Sequence, residues 1–273
     1  MDSSYSESTV LSTDGVPIYY RIYGAGAPTV LFVHGWSGDQ TYWKAQAQYF
    51  SSHTTVVTLD LAGHGNSGNH RHDWSVSAFA QDVVSVVEAL DLTQLILIGH
   101  SMGGPVVLET ACRIPSRVSA IVGVDTFPDK WFTFDDLLRN QFLEPFRKNF
   151  VETTYKWVSQ QLFLPTSNSN LVQRIASDMS SSDPKSGIAS MESIYEWGKN
   201  EGLRSFRKLC SPVFMIQAKR NENNLQVVSS LSTFFQLEVY LMSEVGHFPM
   251  MEDAETFNRI LHQVIEPFSR PGL

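Results

Sequence analysis

The chain has 273 residues, of which 42% are hydrophobic and 18% charged, and its net charge at pH 7 is −8. A chain of this length and polarity can bury the core of a large α/β domain, and its composition is not that of a disordered protein. The negative charge argues against nucleic acid or an anionic membrane surface as a partner, because both attract basic surfaces.

The first residues, the lengths of the apolar runs and the two cysteines indicate which class of protein to expect. Residues 1–7 are polar and lack the basic and apolar regions of a secretory signal, and no apolar run approaches the ~20 residues of a membrane span. Cys112 and Cys210 are expected to be free, buried thiols rather than a disulfide. We therefore expect a cytoplasmic protein, monomeric or homodimeric, with no membrane partner.

Short apolar segments alternate with helix-length segments along the chain. After a first antiparallel hairpin that turns at Asp14-Gly15, strands are predicted at 18–23, 29–33, 56–59, 95–98, 118–124, 213–217 and 237–241. Helices are predicted at 76–90, 104–113, 226–233 and 252–265. Several strands are apolar throughout, which is typical of strands covered by helices on both faces. The pattern predicts an α/β fold with a mostly parallel, doubly wound sheet.

Residues 126–209 interrupt this alternation. The segment has no strand-like run, and its pattern indicates several helices joined by polar loops and rich in aromatic residues. We interpret it as a helical cap, inserted in a core of residues 1–125 and 210–273, over the edge where open α/β sheets bind ligands. Some aromatic side chains would pack the cap and others would line an apolar pocket, with Trp131 and Phe134 as candidates for substrate contact.

A G-x-S-x-G motif has Ser101 at its centre, directly after the strand at 95–98 and before the helix at 104–113. Between a strand and a helix, such a serine is held at the tip of a sharp turn that the glycines leave room for. The pattern predicts that Ser101 is the nucleophile of an acyl-transfer enzyme. The alternative is a serine that only caps the following helix.

His247 lies between the last predicted strand and the last predicted helix. A loop there can reach a nucleophile on another strand, and imidazole titrates near neutral pH, so His247 is predicted to be the general base. The backbone N–H groups of Met102 and Trp36 are predicted to form the oxyanion hole, and the Trp36 indole to line the acyl pocket. His100 is expected to face away from the Ser101 hydroxyl.

Four motifs occur in an order that resembles the α/β-hydrolase superfamily over nearly the whole chain. They are HGW at 34–36, DLAGHGNS at 60–67, GHSMG at 99–103 and GHFP at 246–249. The resemblance implies an eight-stranded sheet, a serine–histidine–acid triad and a variable helical cap. It implies no cofactor, and no metal site is predicted.

The acid is where the chain departs from the commonest pattern of this superfamily. In that pattern an aspartate follows the strand predicted at 213–217, where this chain has Asn221 and then Glu222. Asp125 ends the strand at 118–124 at the same edge of the sheet, which resembles other members of the superfamily. We predict Asp125 as the orienting acid, with Asn221 or Glu222 as alternatives.

These residues predict a serine hydrolase that cleaves carboxylic esters through an acyl-enzyme on Ser101. The aromatic cap favours a small-molecule ester with an apolar or aromatic group. The same triad would also serve a carbon–carbon bond hydrolase, a lactonase or a perhydrolase, and the same fold also serves small-molecule receptors.

Overall fold

The structure is a computed structural model that describes residues 4–127, 130–133, 135–219 and 237–269. Its strands are β1 Tyr5–Leu11, β2 Pro17–Tyr23, β3 Thr29–Val33, β4 Thr55–Leu59, β5 Leu95–His100, β6 Val118–Val124, β7 Val213–Ala218 and β8 Leu237–Met242. They form one sheet in the order β1-β2-β4-β3-β5-β6-β7-β8. Antiparallel pairing is limited to β1–β2 and β2–β4, and the other pairs are parallel. The prediction of an eight-stranded, mostly parallel α/β fold is confirmed.

In the described chain, the helices lie between successive strands or follow β8. They are α1 Lys44–Phe50, α2 Val76–Ala89, α3 Gly103–Arg113, α4 Lys130–Thr133, α5 Asp136–Lys148, α6 Phe150–Gln161, α7 Ser169–Ser180, α8 Pro184–Trp197, α9 Leu203–Lys208, α10 Pro249–Glu252 and α11 Ala254–Ile265. In the part of the chain that the structure describes, no helix combines the length and apolarity needed to cross a bilayer.

The core is centred on β3 and β5, in which every residue is buried. Helices cover both faces of the sheet, with α2 packed on α3 and α1 packed on α11. The continuous burial explains why these strands are apolar throughout rather than alternating. The first hairpin also follows the prediction, because Gly15 has a φ of 84° and its N–H donates to Ser12 O at 2.8 Å.

Between β6 and β7 the described chain forms α4–α9, which we name the inserted helices. Side chains cap the N-termini of α5, α6, α7 and α8, and the capping residues are Asp135, Asn149, Asn168 and Asp183. Of the inserted helices, α8 contacts α2 and α9 contacts α3. Polar residues in the predicted loops therefore act as helix caps.

The structure corrects several details of the prediction. The 3₁₀ turn Gln40–Trp43 and α1 were not predicted, and Gln40 there is held by a tertiary contact, its N–H donating to Asp60 Oδ1 at 2.8 Å. The last long helix begins at Ala254 rather than at 252, because Asp253 caps it by accepting the Thr256 N–H. The helix predicted at 226–233 lies outside the described residues.

The prediction for the cysteines is only partly right. Both thiols are free, as predicted, but Cys112 is half-buried and Cys210 is exposed. Cys210 lies in the connection from α9 to β7, and the buried strand begins only at Val213. The prediction of two buried thiols is therefore wrong for Cys210.

Candidate active site

Ser101 lies in the two-residue turn that joins β5 to α3. Its φ of 51° is in the left-handed region, which strains a residue with a side chain by about 1 kcal/mol. The turn is so tight that a Cβ on Gly99 would lie 2.2 Å from Gly103 O. The Thr126 hydroxyl donates to Ser101 O at 2.7 Å and fixes the turn from the side of β6. The sequence motif therefore forms a strained, supported turn with the serine at its tip.

Asp125 and His247 are brought together from positions 122 residues apart in the chain. The His247 Nδ1–H donates to Asp125 Oδ2 at 2.5 Å, and only 2% of the aspartate side chain and 13% of the imidazole are exposed. Asp125 directly follows β6 with a φ of 38°. A buried carboxylate at Nδ1 leaves Nε2 as the imidazole nitrogen that can accept a proton.

The end of β7 supports Asp125. The Ala218 N–H donates to Asp125 Oδ1 at 3.1 Å, and the Asp125 N–H donates to Ile216 O at 2.9 Å. The Gln217 side chain donates to Thr126 O at 3.1 Å. Both carboxylate oxygens thus accept a hydrogen bond, which orients the carboxylate and stabilises its charge.

His100 packs against His247, with ring centroids 4.7 Å apart, and its Nε2–H donates to His247 O at 2.7 Å. Burial lowers the pKa of His100 to about 3, so this ring is neutral near pH 7 and does not repel a protonated His247. His100 and Ser101 line the same cavity, and the His247 carbonyl holds the His100 ring by accepting its N–H. The expectation that this side chain faces away from the Ser101 hydroxyl stays a prediction.

The loop after β3 packs directly on the turn that carries Ser101. A Cβ on Gly35 would lie 3.1 Å from Ser101 Cβ. Trp36 lines the same cavity as Ser101, and its indole N–H donates to Gly187 O in α8 at 2.7 Å. Met102, which follows Ser101, is fully buried. Of the two residues predicted to supply oxyanion donors, Met102 therefore follows the serine directly, and Trp36 follows the glycine that packs on it.

Ser101 and His247 line one cavity of about 20 Å³, which has room for a group the size of one water molecule. Its other walls are mostly apolar and include Trp157, Leu162, Met179 and Phe248. Trp157, Leu162 and Met179 belong to the inserted helices or their connections. The inserted helices and their connections therefore form part of the wall of the cavity at Ser101.

The sequence model of the family described as the alpha/beta hydrolase fold matches residues 28–254. The chain belongs to this α/β hydrolase family. The match includes Ser101, His247 and Asp125 together with the whole connection between β6 and β7.

Individual proteins also resemble this chain, one here in sequence and two in fold. A non-heme chloroperoxidase of Streptomyces lividans is 38% identical over 124 residues, which are 44% of this chain and 45% of the relative. The matched regions of curated relatives cover 30% to 57% of those proteins' lengths. A thermophilic esterase of Thermogutta terrifontis, with malate bound, has a TM-score of 0.84 at 20% identity and matches 97% of this chain and 100% of its own. A bromoperoxidase of Bacillus anthracis has a TM-score of 0.84 at 19% identity and matches 96% of this chain and 100% of its own.

The remaining site predictions concern Trp131, Phe134, Asn221 and Glu222, and of these residues the structure describes Trp131. Trp131 packs against Phe127, with ring centroids 6.3 Å apart, and is not among the described residues that line the cavity at Ser101. Phe134, Asn221 and Glu222 lie outside the described residues. Among the described aromatic residues of the inserted helices in this α/β hydrolase, Trp157 lines the cavity. Sequence reasoning grouped it with other aromatic residues, and no local pattern distinguishes it from Trp131.

Proposed function

We propose that the protein is a serine hydrolase that cleaves carboxylic esters. Ser101 is the nucleophile, His247 the general base and Asp125 the orienting acid. The observation that carries this proposal is the 2.5 Å hydrogen bond between His247 and Asp125, in a site where His247 and Ser101 line one cavity. Nucleophile, base and orienting group in this relation form the catalytic unit of serine hydrolases.

Acylation begins when Ser101 Oγ attacks the ester carbonyl carbon and His247 Nε2 accepts the hydroxyl proton. Asp125 holds the Nδ1–H tautomer and stabilises the imidazolium that forms. His247 then donates the proton to the leaving alkoxide, and the acyl group remains on Ser101. In deacylation His247 accepts a proton from a water that attacks the acyl carbon, and it returns this proton to Ser101 as the carboxylic acid leaves.

The negative charge that develops on the carbonyl oxygen needs donors that are already in place. We assign this role to the backbone N–H groups of Trp36 and Met102. Two observations support the assignment: Gly35, next to Trp36 in the chain, packs against the Ser101 side chain, and Met102 directly follows the serine. The hydrogen bond from the Trp36 indole to Gly187 ties the donor loop to α8.

The substrate is an ester with a short, apolar acyl group. The cavity of about 20 Å³ has room for little more than a methyl-sized group, and its walls are aromatic or aliphatic. We propose that the inserted helices act as a cap, which must shift to admit the alcohol part of a substrate. Trp131, which is not among the described residues that line the cavity, would contact the substrate only in such a shifted arrangement. Contact of Phe134 with the substrate stays a prediction.

A panel of p-nitrophenyl esters from acetate to decanoate tests this function. We expect the acetate to have the highest kcat/KM and Ser101→Ala to abolish hydrolysis of every ester. Comparable rates for Ser101→Ala and the unmodified protein would overturn the mechanism. Tight ester binding without turnover, unchanged by Ser101→Ala, would instead favour a receptor.

A second candidate is perhydrolysis, which the similarity to a non-heme chloroperoxidase favours. Hydrogen peroxide in place of water would attack the acyl-enzyme and release a peracid, so the same residues would serve. Peracid formation from an acetate ester and hydrogen peroxide, compared between the unmodified protein and Ser101→Ala, separates the two reactions. A peracid yield no higher than that of Ser101→Ala would exclude this candidate.

A further inference from the structure

The loop that carries His247, residues 246–248, is held by a carboxylate outside the proposed triad. The Gly246 and Phe248 N–H groups donate to Glu252 Oε1 at 2.9 and 3.2 Å. The backbone of His247 is also bound on both sides, since its N–H donates to Leu162 O at 2.7 Å and its carbonyl accepts the His100 bond. The position of the imidazole therefore depends on Glu252 and on Leu162.

The second oxygen of Glu252 faces the inserted helices. Ser167 Oγ–H donates to Glu252 Oε2 at 2.6 Å, and the Leu164 N–H donates to Ser167 Oγ at 3.1 Å. Leu164 and Ser167 lie in the connection between α6 and α7, as Leu162 does. Glu252 thus bridges this connection and the His247 loop.

The two segments are also in tight contact. A Cβ on Gly246 would lie 2.5 Å from Leu162 O, and the rings of Phe163 and Phe248 stack with centroids 5.1 Å apart. Leu162 lines the cavity beside Ser101 as well. Displacement of the connection would therefore remove both a wall of the cavity and the acceptor of the His247 N–H.

We propose that Glu252 is a positioning residue for His247. Through its hydrogen bond with Ser167, Glu252 also makes the position of the His247 imidazole depend on whether the α6–α7 connection is packed against the His247 loop. Three hydrogen-bond donors converge on the Glu252 side chain: two N–H groups and one hydroxyl. A carboxylate satisfies all three, because an ionised carboxylate accepts hydrogen bonds and donates none. Glu252 is not among the described residues that line the cavity, so it acts through His247. The proposal rests on the proposed function, in which His247 is the base.

The expected effects follow from what each variant leaves unpaired. Glu252→Ala removes the acceptor of two backbone N–H groups, and a shift of His247 by about 1 Å lowers kcat roughly 100-fold. Glu252→Gln keeps one acceptor oxygen and should stay within about threefold of the unmodified protein. Ser167→Ala leaves the loop bonds intact and breaks only the link to the connection, so kcat should fall about 3- to 10-fold.

The experiment measures kcat and KM on p-nitrophenyl acetate together with the low-field proton resonance of His247 Nδ1–H. That resonance reports the bond to Asp125 without requiring turnover. We expect it to broaden by exchange in Glu252→Ala and to persist in Glu252→Gln. Ser159→Ala is the matched control, because within the described residues its hydroxyl bonds to Tyr155 O and Lys156 O of α6 and to no other group. It should change neither readout.

A folded Glu252→Ala with unchanged kcat and resonance would overturn the proposal, and so would an equal loss in Glu252→Gln. If Glu252→Ala does not fold, Ser167→Ala decides: a lower kcat with Ser159→Ala unaffected supports the link, and no change refutes it. Failure of the proposed function is distinguishable, because the unmodified protein would then show no turnover, or Ser101→Ala would retain activity, whatever the resonance shows.

Discussion

Replacing Asp125 by asparagine is expected to nearly abolish ester hydrolysis without disturbing the fold. Asp125 Oδ1 accepts the Ala218 N–H and Oδ2 accepts the His247 Nδ1–H. An asparagine must present its oxygen to Ala218, because an NH₂ group cannot accept that bond. Its NH₂ then faces His247 Nδ1 and donates to it, which leaves the proton on Nε2.

This tautomer cannot accept the Ser101 proton. The corresponding substitution in a serine protease triad lowers turnover about 10⁴-fold, and we expect a loss of the same size here. At 1.36 kcal/mol per tenfold change, that loss corresponds to about 5.4 kcal/mol of transition-state stabilisation. The acceptor for Ala218 is retained, so the thermal midpoint should change by only a few degrees.

The assay is kcat/KM on p-nitrophenyl acetate, with folding checked by circular dichroism. Asp91→Asn is the matched control, since it removes the same charge from a side chain that is 87% exposed and should leave the rate unchanged. An Asp125→Asn protein within tenfold of the unmodified rate would refute the reasoning. A larger loss in Asn221→Ala or Glu222→Gln would move the acid to the connection after β7.

Three further substitutions test the turn, the cavity and the core. Gly99→Ala should lower the free energy of unfolding, measured in urea, by about 3 kcal/mol, because the new Cβ meets a backbone oxygen. Gly15→Ala, whose Cβ would have open space, should lower it by about 1 kcal/mol. Equal losses in the two variants would contradict the steric argument. Trp157→Ala removes an indole from the cavity wall and should raise the ratio of kcat/KM for the hexanoate ester to that for the acetate ester roughly tenfold. An unchanged ratio would show that Trp157 does not limit the size of the acyl group. Arg71→Met leaves the buried Asp82 carboxylate without the arginine with which it forms a 2.6 Å ion pair. The free energy of unfolding in the same assay should fall by about 3–5 kcal/mol. A decrease below about 1 kcal/mol would contradict this prediction.

The parts of the site that sequence patterns indicate are those with local causes. Ser101 sits in a turn whose geometry depends on glycines two residues away on either side, so a five-residue motif suffices to predict it. The strands β3 and β6 begin and end where predicted, because short apolar runs bounded by polar or turn residues favour buried strands. The exposure of Cys210 has no comparable local signal, since it depends on where the chain leaves α9.

The support around His247 depends on contacts that no local pattern records. Glu252 accepts hydrogen bonds from the loop that carries His247, and Ser167, 85 residues away from Glu252 in the chain, donates to the same carboxylate. The His100 ring packs on His247, whose carbonyl accepts its N–H from 147 residues away in the chain. Each contact needs the complete sheet and the inserted helices to be in place.

The sequence by itself determined the α/β class, the parallel sheet, the nucleophile turn and the candidates Ser101, His247 and Asp125, because strand periodicity and turn sterics act over a few residues. Only the tertiary structure decided that Asp125 meets His247 across 122 residues. It also decided that Trp157 rather than Trp131 walls the cavity. Such pairings follow from strand order and helix packing, and these depend on the whole chain at once.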